Sequence, residues 1–113
     1  MNEGTVIWKV RAIKPYPEAH NHLLIGRVLS QQGPCLSLLC RTFHFGRNVN
    51  SVKDIVPGAL GKRLIPWGRI EIVNELAGSF NFEQARLVKD AKGNVSLSDG
   101  ADSCLIASRR DGR

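Results

Sequence analysis

GKRLIPWGRIEIVNEL, residues 61–76, decides how the rest of the chain is read. Leu64, Ile65, Ile70, Ile72 and Val73 are apolar and mostly β-branched, and they stand on both sides of a Pro66-Trp67-Gly68 interruption. That pattern suits two short strands meeting at a sharp bend rather than one helix. Proline donates nothing to a ladder and glycine accepts unusual dihedrals, so Pro66–Gly68 marks a corner where a sheet turns. Corners of this kind close small barrels. Trp67 is read either as a wedge inside such a barrel or as an exposed aromatic at a subunit boundary.

Working outward, Gln31-Gln32-Gly33-Pro34 is a turn between two apolar runs, Leu23–Ser30 and Cys35–Phe45, which read as a hairpin of two strands. Before it, residues 6–13 alternate with the period of a strand that buries one face, and Lys14-Pro15-Tyr16-Pro17 ends that strand. Val52–Val56 is short and strand-like between GRNVNS and Pro57-Gly58. After Leu76, Phe80, Phe82, Ala85, Leu87 and Val88 fit a helix, but the Ala91-Lys92-Gly93 turn between Arg86–Lys89 and Asn94–Ser98 favours a hairpin. Short strands with turns at this density predict a mainly all-β fold, a small bent barrel of about five strands with an added N-terminal strand and a C-terminal extension.

A chain of 113 residues fits one domain, expected over residues 1–98, with residues 99–113 as a flexible tail anchored at most through Cys104–Ile106. Hydrophobic content of 42% with 23% charged residues is that of a folded soluble protein. There is no apolar run of about 20 residues and no signal-like N-terminus, which predicts a cytoplasmic protein without membrane contact. Cys35, Cys40 and Cys104 are too few and too irregularly spaced for a disulfide scaffold. The net charge of +6 is uneven: residues 1–53 hold seven Lys or Arg against Glu3 and Glu18, while the remainder is nearly balanced. A basic first half attracts phosphate backbones or acidic partners, or simply keeps the protein soluble.

Residues 23–45 and 64–73 resemble the two motifs of the Sm-like family, the LSm and Hfq type of small β-barrel. Gly26, Val28, Cys35, Leu36, Leu38 and Leu39 stand near the apolar and glycine positions of the first motif, and Ile65-Pro66-Trp67-Gly68-Arg69-Ile70 keeps the apolar frame of the second. The resemblance implies a bent five-stranded barrel, assembly of subunits into a ring and RNA as a ligand. The sequence departs from the family where RNA is contacted: Gln32 stands near the acidic turn position, Leu36 near the asparagine and Pro66-Trp67 where Arg-Gly is usual. The barrel is therefore implied more strongly than the ligand.

No catalytic constellation emerges. Cys40 and His44 lie four apart on one strand, about 13 Å apart at strand spacing, too far for a dyad. Cys35 and Cys40 face opposite sides and His20, His22 and His44 do not complete a tetrahedral set, so no metal or cofactor is expected. Gly58–Lys62 falls short of a phosphate-binding loop. A nonenzymatic binding protein is the reading that remains. Arg41, Phe43, His44, Phe45, Arg47 and Asn48 place cations, aromatics and an amide within eight residues, the elements of a single-stranded RNA site, with Arg69 from the corner. The competing reading puts Phe43 and Phe45 in the core. Trp67, Ile70 and Ile72 are the expected contacts of a homo-oligomer, and the alternative function is a protein–protein interaction module with no nucleic acid.

Overall fold

The computed structural model describes residues 5–108. Nine strands follow in order: β1 (Ile7–Ala12), β2 (Asn21–Ser30), β3 (Cys35–Phe45), β4 (Ile55–Pro57), β5 (Gly61–Pro66), β6 (Ile70–Leu76), β7 (Arg86–Lys89), β8 (Val95–Ser98) and β9 (Ser103–Ala107). Two 3-10 turns, Val52–Asp54 and Trp67–Arg69, are the helical elements among the described residues, so the protein is all-β. Val52–Val56, read as one strand, is instead a turn capped by Ser51 followed by β4, because the Ser51 side chain and the Asp54 carboxylate satisfy the turn's amides locally.

The first six strands form one antiparallel sheet ordered β4-β3-β2-β1-β6, with β5 also on β3. β3 is long enough to take two partners along one side: Cys35–Cys40 faces β5 and Phe43–Phe45 faces β4. β5 and β6 thus sit at opposite ends of the ladder although they are joined by the 61–76 corner. The corner spans that distance by hydrogen bonds to both neighbours. The Trp67 indole donates to Gly33 O (3.0 Å) in the β2–β3 turn, and Ile13 N donates to Arg69 O (2.8 Å) just past β1. Trp67 remains 37% exposed, between the two alternatives the sequence offers.

Each face of the sheet carries a core. On the inner face Val10, Leu24, Leu36, Leu38, Cys40 and Ile65 pack with half-buried Trp8, Val28, Ile70 and Val73. Ile65 on β5 and Ile70 and Val73 on β6 belong to this one cluster, so the sheet curls until its two ends share a core. No β5–β6 ladder closes it among the described residues. On the outer face Ile7, Leu23, Ile25, Phe43 and Phe45 pack against Phe80, Phe82, Val95, Leu97, Cys104 and Ile106. β1 therefore buries Ile7 on one face and Val10 on the other, where the sequence predicts one buried face, because a second layer covers its outer side.

That second layer is the antiparallel sheet β7-β8-β9. Its first hairpin turns at Gly93, whose φ of 89° is left-handed, while Asp90 Oδ1 accepts from Lys92 N and Asn94 N. The second turns at Gly100 with φ 96°, and the Asp99 carboxylate accepts from Asn81, Ala101 and Asp102 amides. The hairpin over residues 86–98 agrees with the favoured reading. The tail expected over 99–113 does not hold for its described part: the Asp99-Gly100 turn returns the chain as β9, with Cys104 and Ile106 in the core. Residues 109–113 of that expected tail lie outside the described residues.

Candidate polyanion-binding site

At the ends of β1 and β3, the large sheet bears a depression of about 220 Å³ lined by Arg11, Lys14, Asn21, Phe45 and Arg47. Strand register builds its floor. Asn21 on β2 faces Phe45 on β3, and Arg11 on β1 stands one step away opposite Leu23. Lys14 and Arg47 come from the segments that leave β1 and β3. The Arg11 guanidinium donates to Asn21 Oδ1 (2.9 Å), and Asn21 Nδ2 donates to Phe45 O (3.4 Å), which fixes Arg11 toward the depression. Lys14 and Arg47 are exposed, and among the described residues no carboxylate forms an ion pair with any of the three cations. Three positive charges lining one depression, with no ion pair among the described residues, make a region of positive potential suited to an anion.

Of the seven residues the sequence nominates for RNA, Phe45 and Arg47 line this depression; Asn48 is the exposed neighbour of Arg47. Arg41 is committed elsewhere. Its guanidinium donates to Phe82 O (2.8 Å) and Ala85 O (2.7 Å) and lies 5.3 Å from the centre of the Phe43 ring, and burial pulls its pKa down from the ordinary value. It ties the segment leading into β7 to the first sheet. Lys9 does so for β9 at the other edge, donating to Leu105 O (3.0 Å), with its pKa lowered mainly by burial. Phe43 and Phe45 are core residues at 0% and 2% exposure, so they offer no stacking surface. Arg69 is exposed at the corner, where its carbonyl accepts from Ile13 N. Of the expected interface residues, Ile70 is half-buried in the inner core, whereas Ile72 is 51% exposed on β6 opposite Arg11. Arg11, Lys14 and Asn21 are what sequence reasoning missed. The signal available was the charge excess of the first half, to which Arg11 and Lys14 belong.

His44 lies on the inner face, stacked on His22 across the β2–β3 ladder with ring centres 4.0 Å apart. His22 Nε2 is buried without a hydrogen-bond partner, and burial first, then the neighbouring His44 and Arg63 charges, lower the His22 pKa from its ordinary 6.5. A lowered pKa means that the unfolded chain binds the proton more tightly. The His22 contribution to stability is therefore complete above about pH 6.5 and is lost as pH falls through the lower folded value. Urea midpoints measured from pH 8 to pH 5 are expected to fall on the acid side, and His22→Leu is expected to flatten that slope. An unchanged slope in the variant would remove His22 from this role.

Burial raises the thiol of Cys104 to about 11 and that of Cys40 above its ordinary value, so both are held protonated at neutral pH. Among the described residues no three His, Cys, Asp or Glu side chains stand together as metal ligands. No described helix is long and apolar enough to cross a membrane. Compared with protein-family models, curated proteins and solved structures, the chain matches none of them.

Proposed function

We propose that this chain is a nonenzymatic binding module that takes single-stranded RNA or another polyanion at the Arg11–Lys14–Arg47 depression. The observation that carries the reading is the convergence of three cations from three segments with no carboxylate paired to them among the described residues. Binding of labelled single-stranded RNA at low salt should weaken steeply as salt rises, since released counterions drive it. Lys14→Ala and Arg47→Ala are each expected to lower affinity about fivefold and the salt slope by about 1, with folding unchanged because both side chains are exposed. No mobility shift at low salt would overturn the proposal.

A second property, self-association, is favoured by the sheet ends. Among the described residues β5 and β6 each have one ladder partner, and they leave Leu64 64% and Ile72 51% exposed beside edges that no described strand covers. β5 also carries Lys62 and β6 carries Glu71 and Glu75, all exposed, so the β5 edge of one copy complements the β6 edge of the next. Heterologous pairing of this kind generates a ring if its rotation closes. Light scattering at micromolar concentration is expected to report a multiple of the chain mass; a constant 12.5 kDa would exclude it.

A further inference from the structure

We infer that the depression reads a chain of phosphates and not the bases attached to it, so that inorganic polyphosphate and RNA of any sequence are equivalent ligands. The inference rests on the proposal that a polyanion binds there, and it follows from which groups remain free. Reading a base takes either an exposed ring to stack on or a mixed set of donors and acceptors facing its edge. The depression offers neither. Its one aromatic, Phe45, is 2% exposed and contributes only floor. Its one amide, Asn21, has its oxygen engaged by Arg11 and its nitrogen by Phe45 O. What the lining keeps free for a ligand is cationic and donates only: Lys14, Arg47 and the part of the Arg11 guanidinium not spent on Asn21. Such a set matches phosphate oxygens, with the two guanidiniums suited to paired hydrogen bonds and the ammonium to a point charge. Two exposed rings stand close to it in sequence, His20 beside Asn21 and Tyr16, 59% exposed, two residues beyond Lys14, but neither lines the depression.

The test uses the full chain with five probes of equal phosphate count: oligo-A, oligo-U, oligo-C, an RNA hairpin duplex and linear polyphosphate, at fixed low salt. Affinities for the three homopolymers are expected to agree within about threefold, as expected without base stacking or edge readout, and polyphosphate should displace each of them. The double variant Lys14→Ala/Arg47→Ala should lower binding of all five together, and Tyr16→Ala should leave all five unchanged. A preference above about tenfold among homopolymers, a loss on Tyr16→Ala, or RNA binding that polyphosphate does not displace would each overturn phosphate-only reading while leaving polyanion binding in place. Failure of every probe to bind would overturn the parent proposal and this inference with it.

Discussion

Gly26→Ala is expected to cost more than about 3 kcal/mol and to leave little folded protein at 37 °C. Gly26 lies in the middle of β2 on the inner face, with Cys40 of β3 as its ladder partner. A Cβ built there would overlap the carbonyl oxygen of Leu39 and stand 2.5 Å from the Cα of Cys40. Both are backbone atoms of the longest strand, so no rotamer change relieves the clash; the two central strands must separate. That would disturb the curl that brings Ile65, Ile70 and Val73 into one core. Glycine ordinarily weakens a strand, and here the close approach of two backbones requires it. Gly68→Ala is the control, because a Cβ at Gly68 would meet nothing within 4 Å. Urea denaturation of both variants checks the expectation; a Gly26→Ala midpoint equal to that of Gly68→Ala would contradict it.

Ending the chain at Ser98 is expected to be as damaging, although those last residues look dispensable in sequence. The deletion removes β9, and with it Cys104, Ile106 and Ala107 from the outer core, each 7% exposed or less. It also strips β8 of one ladder partner and Lys9 of its acceptor at Leu105 O. Loss of a buried aliphatic side chain alone costs about 2–5 kcal/mol, and the total stability of such a domain is about 5–15 kcal/mol. The truncated chain should lose its near-ultraviolet circular dichroism and bind a hydrophobic dye, having bared Leu23, Ile25 and Phe43. Ile106→Ala should lower the stability by about 2–5 kcal/mol with the fold retained, which separates a core role from a general effect of shortening. A truncated chain with the full-length midpoint would show that β9 is not part of the cooperative unit.

These two positions mark where local pattern stops being informative. The period-2 run of β1, the Gln31–Pro34 turn and the Pro66–Gly68 corner place β1, β2, β3, β5 and β6 and the antiparallel β2–β3 hairpin. Their cause is local: residue type and dihedral preference act over two to four neighbours. Even the β7–β8 hairpin is written in an Asp-Ala-Lys-Gly turn, because Asp90 satisfies that turn's own amides. β9 was legible in part, as the apolar run around Cys104–Ile106. Its burial was not, since an isolated five-residue strand gains nothing until another sheet covers it.

The roles of the charged residues were decided only by the tertiary structure. Arg41 and Arg47 look alike in sequence, six positions apart in one basic, aromatic segment. One meets the Phe82 and Ala85 carbonyls because the segment leading into β7 folds over β3; the other lies past the end of β3 and lines the depression. Arg11, Lys14 and Asn21 join Arg47 through the β1–β2 and β2–β3 registers, which set residues 36 positions apart side by side. By itself the sequence determined an all-β chain with its positive charge in the first half. Which cations clamp the fold and which face solvent depended on which sheet face was covered, a property of long-range packing that no local window contains.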